Sequence, residues 1–314
     1  MQITDFSAQP VPASRTHTRR RLFGSRRIVW AEQVTAYLFL APALLIFALF
    51  AWYPIAQTVL FSFQNVNING DSSWVGLDNF RRMFADPLFL IAWRNSFTFA
   101  SLSLAMGFLV PIIVAIMVSE MRHAKGFFRL AYFLPTVIPI TISLLIWRLI
   151  YSADSGILNA ALRAVHLPGQ SWLQDPHLVS ASIVLILTWA NFGSTVLLYI
   201  AALQDIPVEY YEAAELSGAS AFQRIRFITF PQLYPTMIVT FILQIIAVVQ
   251  IFTEPFLLTQ GGPGTTTLTP VLVLYRKAFQ DNDFGLASAW SMSLIVVLGV
   301  FSAIYMRLTR NAGK

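Results

Sequence analysis

The sequence has no cysteine among its 314 residues. Disulfides, thiolate metal sites, iron–sulfur clusters and a cysteine nucleophile are therefore excluded. Charge is also scarce: 11% of residues are Asp, Glu, Lys or Arg, against roughly 25% in an ordinary soluble domain. The four histidines are His17, His123, His166 and His177. They fall in the tail, in loops or at span edges, and none is paired at metal-ligand spacing. No G-x-x-x-x-G-K-[ST] loop occurs, so the chain has no means of holding ATP by a P-loop. Metal, none, and cofactor, none, are the expectations for this chain.

What is present is apolar: 56% of residues are hydrophobic. Stretches without Asp, Glu, Lys or Arg run over 33–70, 95–119, 130–147, 177–204, 227–253 and 284–306. A helix needs about 20 mostly apolar residues to cross a bilayer core. The pattern predicts an all-α membrane protein with six spans, approximately 34–62, 93–119, 129–151, 178–203, 232–255 and 284–308. A seventh charge-free stretch, 255–275, holds Gln260-Gly261-Gly262-Pro263-Gly264 and five threonines. Its backbone could not satisfy itself in lipid, so it reads as a loop, in part re-entrant. Pro42 and Pro54 fall in the first span, Pro111 in the second, and Pro135 and Pro139 in the third. Membrane helices tolerate proline because neighbours re-satisfy the freed backbone groups.

The domain reading is a basic cytoplasmic tail at 1–33, a six-span domain at 34–308 with a long loop at 204–231, and a short cytoplasmic tail at 309–314. With the N-terminus inside, fourteen of the 21 lysines and arginines fall inside and seven outside. The excess comes from Arg15, Arg19, Arg20, Arg21, Arg26 and Arg27 beside the first span, where such charges act most strongly. Both termini are thus expected in the cytoplasm. Basic residues confined to membrane flanks argue for lipid contact and against nucleic-acid binding. Thr18-Arg19-Arg20-Arg21-Leu22-Phe23 echoes a twin-arginine signal, but the apolar stretch after it exceeds the roughly 7–15 residues of a signal-peptide core. An uncleaved first helix is expected.

The 204–231 loop carries a short helix signal. Asp205 can cap its start, Pro207 fits its first turn, and Gly218 suits a left-handed terminator. Glu209, Glu212 and Glu215 recur every three residues along one broad face. Ser220 can cap a second helix bearing Arg224 and Arg226, ended by Pro231. A solvated amphipathic connector and a partner-docking helix both fit this pattern.

Glu212-Ala213-Ala214, three residues, Gly218, nine residues, Ile228, one residue, Phe230-Pro231 resembles the E-A-A-x3-G-x9-I-x-L-P loop of ABC-importer permeases. Phe230 replaces the usual leucine. Three further stretches look like the carbohydrate branch of that family. They are Trp74-Val75-Gly76-Leu77-Asp78-Asn79-Phe80, the run from Phe127-Phe128-Arg129 to Phe133-Leu134-Pro135, and Leu258-Thr259-Gln260-Gly261-Gly262-Pro263 followed by Phe284-Gly285-Leu286-Ala287-Ser288-Ala289. The last suggests similarity to the maltose-type or glycerol-phosphate-type first permease subunit. Leu216-Ser217-Gly218-Ala219-Ser220 mimics the nucleotide signature of transporter ATPases, but no P-loop or parallel-sheet pattern accompanies it.

The resemblance implies the six-span fold of type I ABC importer permeases, with a cytoplasmic EAA coupling helix at 206–218. It implies a prokaryotic inner-membrane protein without catalysis of its own. Its partners would be a second homologous permease, a pair of ATPase subunits holding ATP and Mg, and an extracytoplasmic binding protein that delivers a carbohydrate. Glu212, Ala213, Ala214 and Gly218 would couple to the ATPase. Polar residues in spans face a cavity or a neighbouring helix. The fourth span offers Trp189, Asn191, Ser194 and Thr195, the fifth Thr240, Gln244, Gln250 and Glu254. Aligned through the loop motif, Asn191, Ser194 and Gln244 fall at sugar-contacting positions of maltose-type permeases, and Gln250 joins them as a candidate. Ala190, Ala247, Val248 and Ile251 are apolar where that family places other contacts, which argues against maltose itself. Glu254 reads as an interfacial or gate residue. One acid and no deep cation disfavour an anionic substrate. A glycerol-phosphate ester or polyol importer stays open. An ion-coupled carrier would show inverted repeats, and an intramembrane enzyme a reactive constellation at depth. No convincing repeat or constellation occurs here.

Overall fold

The computed structural model describes residues 30–67, 70–121 and 125–310. The arginine-rich segment 15–27, His17, His123 and the last four residues lie outside the described residues. The backbone divides into two units, Met1–Pro54 and Ile55–Lys314.

In the first unit, α1 (Trp30–Phe47) passes through a π turn (Ala48–Trp52) into α2 (Tyr53–Phe61), which continues into the second unit. Phe39 and Phe50 are 81% and 79% exposed. A helix apolar on every side, with such residues uncovered, is one solvated by acyl chains.

In the second unit, a short ribbon pairs β1 (Gln64–Asn65) with β2 (Ser73–Trp74) antiparallel. Then follow α3 (Asp78–Ala85), α4 (Pro87–Ser103), a π turn (Leu104–Phe108) and α5 (Leu109–Glu120). The next helices are α6 (Lys125–Val137), α7 (Ile140–Ile150) and α8 (Ile157–Ala164). Next come α9 (Val179–Gln204), α10 (Val208–Leu216) and α11 (Ala221–Arg224). A π turn (Ile225–Thr229) leads into α12 (Phe230–Val249), then α13 (Thr253–Leu258), α14 (Pro270–Phe279) and α15 (Phe284–Arg310). Among the described residues of the two units, five segments are long and apolar enough to cross a membrane, or six with α6 and α7 taken as one bent span. Helix α9 is central and packs against α4, α5, α6 and α12. Its buried Ile183, Val184, Ile186, Val196, Tyr199 and Ile200 supply much of the core.

Proline explains where the helices depart from regularity. Its ring clashes with the carbonyl four residues back and removes a donor. Each of the three π turns stands just ahead of a proline: Ala48–Trp52 before Pro54, Leu104–Phe108 before Pro111, Ile225–Thr229 before Pro231. The wider turn absorbs the residue whose bond is lost. Pro231 therefore does not end the helix begun at Ser220, and the fifth apolar span runs Ala221–Leu258. The third span, expected to be continuous over 129–151, is bent by 102° between α6 and α7. Pro139 is responsible: it takes ψ 132° at the N-cap of α7, and proline pushes the residue before it out of the helical region.

The family-like stretches around 74–80 and 284–289 meet in a cap of short elements. Asn79 Nδ2 donates to the carbonyls of Ser62 (3.1 Å) and Gln64 (2.9 Å). A Cβ at Gly285 would lie 2.2 Å from the Gln64 carbonyl, so only glycine lets α15 start there. Arg82 pairs with Asp283 beside it. Of the stretch 255–275 expected as a loop, only 259–269 is one, because α13 and α14 take its two ends. Asn95 orders it, its Nδ2 donating to Thr265 O (2.6 Å) and Leu268 O (2.9 Å). The Gly261–Gly264 run is the expected turn, with φ +82° and +60° at Gly261 and Gly264.

Candidate transport cavity and coupling loop

A cavity of about 490 Å³ opens between α9, α12 and the π turn after α4. That volume lies in the range of about 300–1,000 Å³ typical of small-molecule sites. Asn191, Ser194, Gln244 and Gln250, the four candidates read from the sequence, all line it. Helix α9 presents Leu187, Thr188, Asn191, Ser194 and Thr195 at three- and four-residue intervals, so one face looks into the cavity. Helix α12 does the same with Thr240, Gln244 and Ala247. Gln250 stands at the break between α12 and α13, where the helix stops at Val249 and restarts at Thr253. The Ile251 carbonyl in that break accepts from Thr269 Oγ1 at 2.9 Å. Ala247, Val248 and Ile251 add an apolar wall. Glu254, expected as an interfacial or gate residue, is buried and lines the same cavity.

The polar side chains differ in how far they are already engaged. Asn191 Nδ2 donates to Leu187 O on its own helix (3.0 Å), and its side chain is exposed to the cavity. Gln244 donates through Nε2 to Ser103 Oγ, tying α12 to α4. Thr240 bonds Tyr199 across to α9 and is consumed in helix packing. Thr188 Oγ1 is buried and has no hydrogen-bond partner among the described residues. Ser103, Gly107, Thr188 and Thr253 escaped the sequence reading. The four-residue spacing of Ser103 and Gly107 was the available signal, because it places two small residues on one face of the second span.

The coupling-loop candidate is a compact piece. Helix α10 ends in a Schellman arrangement: Gly218 N donates to Glu215 O (3.0 Å), Ala219 N donates to Ala214 O (2.9 Å), and Gly218 has φ +75°. Ser220 and Gln223 form a capping box for α11. Arg224 pairs with Glu215 across the turn, and Tyr211 bonds Thr229. Start signals fared less well. Asp205 sits at the C-terminus of α9, and Pro207 itself occupies the N-cap of α10 without a side-chain bond. Glu209, Glu212 and Ala213 are exposed, and Ala214 and Gly218 line a groove of about 270 Å³ with Arg224 and Phe227. Leu216 is 92% exposed and Phe222 74%. The loop thus presents two large apolar side chains on a locally braced element.

The profile of the "Binding-protein-dependent transport system inner membrane component" family matches residues 107–312. The chain belongs to that family. Among relatives, the permease resembles the probable ABC transporter permease protein YurN of Bacillus subtilis, 33% identical over 89% of this chain and 97% of that one. It is also similar to the arabinooligosaccharides transport system permease protein AraP of the same species, 30% identical over 96% of each chain. Among solved structures, a bacterial ABC transporter involved in the import of the acidic polysaccharide alginate matches with a TM-score of 0.82 at 25% identity, covering 90% of this chain and 98% of that chain. In a second structure (TM-score 0.81, 25% identity, 91% and 98% covered) the alginate transporter is in complex with a periplasmic protein bound to an alginate pentasaccharide. The family match spans the cavity, the loop and the last four spans of the permease.

Proposed function

We propose that this permease is the first of two membrane subunits of an ATP-driven importer for a di- or oligosaccharide. The observation that carries the reading is the single cavity collecting Asn191, Ser194, Gln244 and Gln250 beside an apolar wall. Amides and hydroxyls bond sugar hydroxyls, and apolar side chains cover the C–H faces. The arabinooligosaccharide and alginate transporters among its relatives support carbohydrate as the cargo class.

In this reading the termini are cytoplasmic, and so are the tails 1–33 and 309–314. Helix α10 seats on an ATPase subunit, which holds the ATP and Mg, and the permease itself is not an enzyme. Glu212, Ala213, Ala214 and Gly218 carry the contact. The Schellman end, the capping box and the Glu215–Arg224 pair make the loop move as one body, which rigid coupling requires. A second permease, a binding protein outside and the lipid bilayer complete the surroundings. The test is affinity purification of the tagged chain in mild detergent, with mass spectrometry of what accompanies it. A second six-span chain and an ATPase are expected; a chain that purifies alone and stable contradicts the coupling role.

A further inference from the structure

The cavity also carries information on the charge of its cargo. Glu254 is the one charged side chain buried among the described residues, 8% exposed, and it lines the cavity next to Thr253. Among the described residues, no lysine, arginine or histidine lines the cavity with it. Among the described residues Glu254 forms no ion pair. The remaining polar lining is neutral, made of threonines, Ser194, Asn191, Gln244 and Gln250.

We infer that the cavity takes a neutral or amino-bearing glycoside, and that Glu254 is the residue that turns acidic sugars away. This rests on the carbohydrate reading above and narrows it. Two carboxylates close together in one cavity cannot both stay ionised without penalty. A uronate entering here forces one of the two carboxyl groups to take up a proton, at a cost in binding free energy, or it leaves. A neutral sugar meets no such barrier, and its hydroxyl groups can donate to the Glu254 carboxylate in a charge-assisted hydrogen bond. A protonated amino group would gain the most, because it supplies the cation that the lining lacks. The alginate importer, which shares the fold, handles an acidic polysaccharide; the charge of this wall argues for the opposite preference here.

The experiment uses the full chain with the partner subunits that co-purify with it, in lipid nanodiscs, as wild type and as Glu254→Gln and Glu254→Asp. Thermal stabilisation is titrated with three oligosaccharide mixtures of matched length: neutral (xylo-, cello- and malto-oligosaccharides), amino-bearing (chitosan oligosaccharides) and acidic (alginate and polygalacturonate oligosaccharides). For the wild type, stabilisation by the neutral or amino-bearing mixture is expected at concentrations at least tenfold below those needed for the acidic one. Glu254→Gln should shrink that ratio to within about threefold, and Glu254→Asp should keep it. Ligand-free melting temperatures report whether each variant folds. Acidic oligosaccharides that bind wild type as well as neutral ones, or a ratio that Glu254→Gln leaves unchanged, overturn the inference and leave the carbohydrate reading standing. Binding by none of the three mixtures removes the carbohydrate reading itself.

Discussion

Gly107 and Gln244, on two different spans, approach so closely that a Cβ on Gly107 would lie 2.7 Å from Gln244 Nε2. The same Cβ would stand 3.3 Å from Ser103 Oγ and 3.4 Å from Thr188 Oγ1. The missing side chain leaves room for a polar knot at the cavity wall, with the Gln244–Ser103 bond at its centre.

Gly107→Val should therefore swing Gln244 out of position. We expect sugar uptake to fall at least tenfold while the protein still reaches the membrane. Gly107→Ala should be milder, since the long glutamine can yield at its far end. Initial uptake rates normalised to membrane abundance check both.

A second glycine is constrained by backbone. A Cβ on Gly193 would lie 2.3 Å from the Tyr132 carbonyl and 2.7 Å from Phe133 Cα, where α9 meets α6. Backbone cannot move aside as a side chain does. Overpacking typically costs about 1–3 kcal/mol, and Gly193→Val should reach the upper end of that range. A lowered melting temperature in detergent is the readout, and Gly299→Val, where nothing lies within 4 Å, is the control.

Gly218 is different again, because open space surrounds it and its φ of +75° sets the requirement. Gly218→Ala should cost about 1–2 kcal/mol locally through the left-handed backbone. Gly218→Asn should be tolerated better, since asparagine visits that region more readily. We expect uptake to rank glycine, asparagine, alanine, leucine, with membrane abundance equal. Normal uptake by Gly218→Leu would contradict the assignment of this helix end to ATPase contact.

Asn95 holds the loop between α13 and α14 by two bonds to carbonyls. Asn95→Ala would leave the buried Leu268 carbonyl unpaired, at about 1–3 kcal/mol, while the Thr265 carbonyl keeps the Leu268 amide. Faster protease cleavage within 259–268, with the spans intact, is the expected outcome.

Much of this was legible in the residues. The spans show because charge is absent over long stretches, and a bilayer permits little else. Gly218 and Ser220 were readable as helix end and helix start because each needs a local bond or dihedral that few residues supply. The bend at Pro139 was not. Pro42 and Pro235 sit inside helices, and Pro54, Pro111 and Pro231 are absorbed by π turns. Proline alone thus does not say which outcome the neighbours will enforce. The Gln244–Ser103 bond joins residues 141 apart, and predicting it requires the rotation of two helices about their axes. Asp205 failed as a helix start because α9 extends to Gln204 and uses it as an end.

The central claim is that one cavity, bounded by α9 and α12, carries the sugar. The most direct measurement is ATP-driven uptake of a labelled oligosaccharide by the whole transporter carrying Asn191→Ala with Gln244→Ala, beside wild type. Uptake should fall by at least a hundredfold while the complex still assembles and hydrolyses ATP. Wild-type uptake by the double variant would contradict the account.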